Sequence, residues 1–330
     1  MVKFLIIRLS SIGDIVLTTP VVRCLKTQID GAIIHYLTKE QYSGIVEPNP
    51  YIDRVWLFRN NLIEVLAALK KEEFDYIIDL HNNIRTFRIK NHLRKVSFSF
   101  NKLNFRKWLL VNLKINILPE IHIVDRYIDT LKLFDVSNDH MGLDYFLTQE
   151  NPEILSSVLS GFPEKYVLIA IGAQHETKKA KPELLAEICD KINFPVIICG
   201  GKNDQLLAES IQGKISENKF VLNTCGKLSL NQSAILVKNS ELVITHDTGL
   251  MHIASAFKKR IISVWGNTVP EFGMYPYLPD PNSLIFEVKG LNCRPCSKIG
   301  YNSCPRKHFR CMKDQNSDEI SKFARKLLGT

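Results

Sequence analysis

The sequence predicts an α/β protein built of two parallel-sheet halves, and three observations carry that prediction. Its 330 residues exceed what one hydrophobic core usually serves, so two domains are expected. Short runs rich in Ile, Val and Leu alternate with stretches of helical periodicity, the βαβ pattern of a parallel sheet. That alternation occurs in two series, separated by a stretch where it weakens.

In the first series, strand-like runs at Lys3–Arg8, Ala32–Leu37, Arg54–Leu57 and Tyr76–Leu80 alternate with helical stretches at Val16–Gln28 and Leu62–Lys71. After Asp135 the pattern fades through Asn151-Pro152 and Gly161-Phe162-Pro163, which reads as a linker. The second series comprises Tyr166–Ile171, helical Pro182–Ile192, Val196–Cys199, a helix from Gln205, Phe220–Asn223, a helix near Asn231–Val237, Leu242–Thr245, a helix from Leu250, and Ile261–Trp265. Asp318–Leu328 reads as an amphipathic closing helix. The expected domains are therefore 1–155, 156–315 and a terminal helix within 316–330. Two Rossmann-like halves of this kind would place their turns on opposite walls of one cleft.

Composition limits the function classes. Lys and Arg total 43 against 34 Asp and Glu, a formal charge of +9 that suits an acidic ligand, nucleic acid or an anionic membrane surface. Met1–Val22 is apolar, but Arg8 and Asp14 interrupt it and no small-residue cleavage site closes it, so a cytoplasmic protein is expected. Cys24, Cys189, Cys199 and Cys225 stand singly in apolar surroundings and read as reduced core residues.

Two turns carry the chemistry. In Ile244-Thr245-His246-Asp247-Thr248-Gly249-Leu250-Met251-His252 a strand runs into a helix whose first N–H groups have no intrahelical partner and lie at the positive end of its dipole. Such a start suits a diphosphate, and Gly249 leaves room for close approach. An ordinary capped helix, with Asp247 or Thr248 as N-cap, fits the same residues. Near the other end, Arg8-Leu9-Ser10-Ser11-Ile12-Gly13-Asp14 again turns from strand to helix, where open α/β sheets place ligands. Asp14 there is a candidate general base, or a carboxylate that complements the helix dipole.

Arg8-x-Ser10-Ser11-x-Gly13-Asp14 with Thr19-Pro20, Gly172-Ala173 followed by Thr177-Lys178, Cys199-Gly200-Gly201 followed by Asp204, Asp247-Thr248-Gly249-x-x-His252 and Gly266-x-Thr268-x-Pro270 together resemble the lipopolysaccharide heptosyltransferases, glycosyltransferase family 9. The resemblance spans nearly the whole chain. It implies a GT-B fold of two Rossmann-like domains and an inverting, metal-independent transfer of a sugar, usually heptose from ADP-heptose, to a lipopolysaccharide-core acceptor. No cofactor is implied beyond the nucleotide-sugar donor. By this resemblance Asp14 takes the acceptor proton; Lys178 and the amides of Thr248, Gly249 and Leu250 hold the diphosphate; Asp247 touches the donor sugar; Asp204 and Leu228 lie near the nucleoside; and His252 belongs to the donor motif. The physical case agrees, because fixed N–H donors and a cation beside the leaving phosphate stabilise its developing charge. Lys179 and Lys181 flank that cation and also fit a solvated basic face, the preferred reading for Lys181. An aromatic residue and proline commonly follow in the family where this chain has Ala180 and Lys181, which leaves the donor sugar open.

The acceptor side is expected at His81–Arg88, where Asn82, Arg85 and Arg88 offer amide and guanidinium groups to carboxylates or phosphates. Further along, Lys90, Arg94, Lys95, Lys102, Arg106, Lys107 and Lys114 interleave with Phe98, Phe100, Phe105 and Trp108, a mix that suits peripheral contact with an anionic cytoplasmic leaflet, a nucleic-acid patch or a soluble basic face. Cys293, Cys296, Cys304 and Cys311 could bind zinc tetrahedrally, but their spacing is unusual for a zinc ribbon, and structural cysteines without metal are expected. His308, between the last two, is expected at the surface rather than as a ligand. Two other readings remain: a GT-B sugar-nucleotide epimerase, and a non-enzymatic basic nucleotide- or RNA-binding protein. Nucleic acid is not the expected partner.

Overall fold

Buried apolar strands with helical crossovers dictate parallel pairing, because parallel neighbours cannot be joined by hairpins. The computed structural model describes residues 1–59, 62–148 and 152–330; Asn151 of the expected linker lies outside them. The chain divides into two units, Met1–Leu103 with Ile121–Thr148, and Asn104–Glu120 with Gln149–Thr330. Residues 104–120, placed by the sequence in the domain 1–155, thus pack with the second unit. The reason is local: Leu110 of helix Asn104–Leu113 buries itself against Val269 and Phe272.

Among the described residues the first unit holds strands β1 (Val2–Ile7), β2 (Ala32–Lys39), β3 (Arg54–Phe58), β4 (Tyr76–Asp79) and β5 (Val96–Ser99), in the order β3-β2-β1-β4-β5. All four pairings are parallel. The order reverses between β1 and β4, so their crossovers diverge and leave the strand ends open. Phe4 to Ile7 are fully buried, and Leu5 and Ile7 pack with Ile77, Ile89 and Phe74.

The second unit holds β6 (Val167–Ala170), β7 (Val196–Cys199), β8 (Val221–Asn223), β9 (Leu242–His246), β10 (Ile261–Trp265) and β11 (Leu284–Glu287), in the order β11-β10-β9-β6-β7-β8, again parallel. Its reversal point lies between β6 and β9. Helix Pro182–Ile192 begins with proline, whose missing N–H needs no partner there, and buries Leu185, Ile188 and Ile192 in the core. The closing helix Ser317–Leu328 is capped by Asn316 and adds Ile320 and Ala324 to the same core. Each unit is Rossmann-like, the make-up of the GT-B class. No helix among the described residues is long and apolar enough to cross a membrane.

Three local differences from the sequence reading have physical causes. The helix expected at Val16–Gln28 is two, Ile12–Val16 and Thr19–Gln28, because the Thr18 and Thr19 hydroxyls bond back to the carbonyls of Ile15 and Val16 where the chain bends towards Pro20. Strands β5 and β11 were not expected; both are sheet edges with part-exposed side chains, so neither carries the apolar run of a central strand.

Arg23, almost wholly buried, ties helix Thr19–Gln28 to the segment after Asp135: Nε lies 2.7 Å from Asp139 Oδ2, Nη2 lies 2.9 Å from Oδ1, and Nη1 also reaches Asp144. Hydrogen bonds from Arg23 hold the Asp139 carboxyl down to about 2. A carboxyl depressed in the folded state stabilises fully above its unfolded pKa of about 4 and loses that stabilisation as pH falls through the folded value. Thermal unfolding of the wild type should therefore drop steeply between about pH 4 and pH 2. Arg23→Met should lower stability at neutral pH by about 3 kcal/mol and flatten that dependence, read from melting curves across pH.

Candidate active site

In the first unit the end of β1 delivers a buried guanidinium to the reversal point. Arg8 Nε donates to the Ser10 carbonyl at 2.7 Å, Nη1 donates to the Leu80 carbonyl and to the Tyr127 hydroxyl, 3.1 Å away, and Nη2 lies 2.6 Å from Asp14 Oδ1. Asp14 Oδ2 accepts from the Ser11 hydroxyl at 2.8 Å and the Ser11 amide at 3.2 Å. Asp14 thus reaches back to the residue that opens helix Ile12–Val16, as a helix-start carboxylate does, while also facing a cation. Burial pushes its carboxyl up, but the Arg8 charge and the Ser11 hydrogen bonds outweigh this and hold it below the ordinary carboxylate range. Its oxygens offer about four lone-pair sites, so three contacts leave one open, and the side chain is 21% exposed. Ser10 and Ser11 are half-buried and Gly13 is buried beneath the turn.

The adjacent end of β4 is fixed by Asp79, whose Oδ1 accepts the amides of His81 and Asn82 and whose Oδ2 lies 2.9 Å from Lys90 Nζ. Burial, then the charges of Arg8 and Lys102, push the His81 imidazole down to about 4, so it is neutral at ordinary pH. Asn82, expected to meet the acceptor, instead donates its amide to the Phe100 carbonyl at 3.0 Å. Arg85 and Arg88 are exposed on helix Ile84–Leu93.

In the second unit the ends of β6 and β9 meet. Lys178 Nζ lies 2.5 Å from Asp247 Oδ2, which also accepts from the Thr268 hydroxyl at 2.9 Å. Thr248 is the N-cap of helix Gly249–Ala256, so its first amides point from the same turn that Lys178 reaches. His252 is buried one turn further into that helix. Behind this group, Ala180 N donates to His246 Nε2 at 3.0 Å, and burial followed by the Lys179 charge push His246 down to about 4.

Lys179 is not on a solvated face. It is 9% exposed and pairs with Asp204 Oδ1 at 3.0 Å and Glu176 Oε1 at 2.7 Å; those carboxylates outweigh burial and raise its pKa. Asp204 in turn accepts the Gly201 amide at 3.0 Å. A Cβ on Gly172 would come within 2.6 Å of its Oδ2, so only glycine leaves that carboxylate its place. Leu228 sits half-buried in the turn after β8, and Lys181 is exposed with its ammonium 5.0 Å over the Phe309 ring. The sequence singled out Lys178 and Asp204 and also named Arg8, Lys179 and Thr268, but it gave none of the pairings of Arg8 with Asp14, Lys179 with Asp204 or Thr268 with Asp247. Lys179 had a signal in its place beside Lys178; the partnership of Thr268 with Asp247 had none.

The segment between Cys293 and Tyr301 braces this wall. Arg294, between Cys293 and Cys296, donates to the carbonyls of Gly266 at 2.6 Å and Thr268 at 2.9 Å. Thr177 and Tyr301 exchange backbone and hydroxyl bonds of 2.8–3.1 Å. All eight cysteines are free thiols, and among the described residues no group of three or more His, Cys, Asp or Glu is arranged to hold a metal ion. His308 is half-buried, its Nε2 3.7 Å from Cys293 Sγ.

A Rossmann-like pair of units with a phosphate-type helix start and a cation at one reversal point, and a paired carboxylate at the other, defines a nucleotide-sugar transferase class. Residues 63–302 match glycosyltransferase family 9 (heptosyltransferase), and the chain belongs to that family. It is thus a glycosyltransferase, which sets aside the non-enzymatic reading. It is 26% identical to lipopolysaccharide heptosyltransferase 1 of Campylobacter coli, with 99% of each chain covered. In fold it resembles the E. coli ADP-heptose LPS heptosyltransferase II, with a TM-score of 0.73 at 17% identity over 99% of this chain and 98% of that one. It also resembles a family 9 glycosyltransferase of Veillonella parvula, with a TM-score of 0.76 at 21% identity over 99% and 97%.

Gly266 offers a test of how tightly the donor wall is packed. An added Cβ would lie 2.8 Å from the Thr177 carbonyl and 2.7 Å from Met312 Cε. The methionine can yield; the carbonyl moves only with Lys178. Gly266→Ala should leave a folded protein that is less stable by about 1–3 kcal/mol, checked by melting; an unchanged melting curve would show that the Thr177–Lys178 turn tolerates the shift.

Proposed function

We propose that the chain transfers heptose from ADP-heptose to an anionic lipopolysaccharide-core acceptor, with inversion and without a catalytic metal. The observation that carries this reading is the convergence of Lys178 with the helix start at Thr248–Leu250, a cation and free amides meeting at one turn. A diphosphate leaving group acquires negative charge as its bond to the sugar breaks, and these are the groups that stabilise it without a metal. Support for the substrates comes from the relatives, one named for lipopolysaccharide and one for ADP-heptose.

In this mechanism the acceptor hydroxyl attacks the anomeric carbon as its proton passes to Asp14, the carbon–phosphate oxygen bond breaks, and ADP leaves with the electron pair. Asp14 suits the base because Arg8 keeps it ionised and aimed while one lone-pair site stays open. Lys178 exchanges Asp247 for the diphosphate when donor binds, which frees Asp247 for a sugar hydroxyl. Lys179, Asp204 and Leu228 bound the nucleoside end, and Arg85 and Arg88 meet acceptor phosphates or carboxylates. The acceptor is a lipid, so the enzyme works against the cytoplasmic face of a membrane.

Asp14→Asn keeps the shape but removes the proton acceptor; it should lower kcat by roughly 10²–10⁴-fold with ADP affinity nearly unchanged. A folded Asp14→Asn enzyme turning over at the wild-type rate would dismiss Asp14 as base. Because Arg8 depresses the Asp14 carboxyl, wild-type kcat/KM should stay flat from about pH 8 down to about pH 5, with no acid limb from the base. Lys178→Ala should weaken ADP and ADP-heptose binding and slow transfer while the melting curve stays close to wild type, and exhaustive chelation should leave the wild-type rate intact.

A further inference from the structure

Residues 80–119 contain nine lysines and arginines and no carboxylate, so this stretch holds a charge equal to the whole chain's surplus of +9. Its second-unit part, 104–119, adds unusual apolar exposure. Helix Asn104–Leu113 turns Leu110 and Val111 inward against Val269 and Phe272. Its opposite face leaves Phe105 70% and Trp108 50% exposed, one turn apart, with rings stacked at 6.5 Å and 10°. Beyond the helix, Ile115 and Ile117 are exposed in turn, and the Lys114 ammonium is anchored on the carbonyls of Val111 and Pro295 at 2.7 Å, holding this end in place.

Aromatic and aliphatic side chains standing outward beside the exposed Arg106 guanidinium lose contact with water when they enter the boundary between lipid headgroups and acyl chains, where Arg106 would meet anionic headgroups. A nucleic acid would use the aromatics for stacking but gives Ile115 and Ile117 nothing to contact. We propose that the outer face of residues 105–117 docks on an anionic phospholipid leaflet, with Phe105 and Trp108 inserted at the interface. The proposal rests on the reading that the acceptor is a membrane lipid.

Co-sedimentation of the full-length protein with vesicles tests it, using phosphatidylcholine alone and phosphatidylcholine mixed with phosphatidylglycerol. The wild type should bind the mixed vesicles and not the neutral ones, and tryptophan fluorescence should shift to the blue; because Trp265 is buried and Trp56 half-buried, the shift should be lost in Trp108→Phe. Phe105→Ser/Trp108→Ser should lower the vesicle partition coefficient by ten-fold or more, and Arg106→Glu by about five-fold or more. Both variants should keep wild-type ADP affinity, which certifies the fold. Equal binding of variants and wild type, equal binding to both vesicle types, or salt-sensitive binding to RNA in place of vesicles would overturn the proposal. Vesicle binding needs no turnover, so its failure is separate from failure of the heptosyl-transfer reading, which the Asp14 and donor assays decide.

Discussion

The structure depends on one constraint, that parallel strands must hand the chain to a crossover at every carboxyl end. Where successive crossovers leave on opposite sides of a sheet, two strand ends are left uncovered, and this happens at β1–β4 and at β6–β9. The backbone there is committed to the ladders, so the turns that follow can be tight and polar without loosening the core. Asp14 and the 247–250 turn occupy these places.

Each candidate group is already paired. Asp14 faces Arg8, Asp247 faces Lys178, and Asp204 faces Lys179, each within 2.5–3.0 Å. The pairs differ in what a ligand can do with them. Arg8 is anchored on three further oxygens, of Leu80, Ser10 and Tyr127, so its place does not depend on Asp14. Among the described residues Lys178 reaches a single carboxylate, Asp247, with its side chain 16% exposed. The buried Lys179–Asp204 pair shields one interior carboxylate beside Gly172 and Gly200, and breaking it would strand a charge in the core.

Central strands were legible because burial on both faces demands predominantly apolar runs: Val196–Cys199 and Ile261–Trp265, the latter broken only by Ser263, were placed to the residue. The edge strands β5 and β11 were not, since a half-exposed strand has no such signature. The turns at Asp14 and Asp247–Gly249 were legible because each carries a strand into a helix start. The pairings were not, because Lys179 and Asp204 are brought together by the sheet order rather than by spacing. The reassignment of residues 104–120 has the same origin: a helix shows that it has an apolar face, not which core will take it.

The Cys293–Tyr301 segment touches three parts of the second unit that are distant in sequence: Lys114, the Gly266–Thr268 loop, and Thr177 beside Lys178. It is a common abutment rather than a tail. One short segment thus seats the lysine turn, the 266–268 loop and the carboxyl end of the outward-facing helix together.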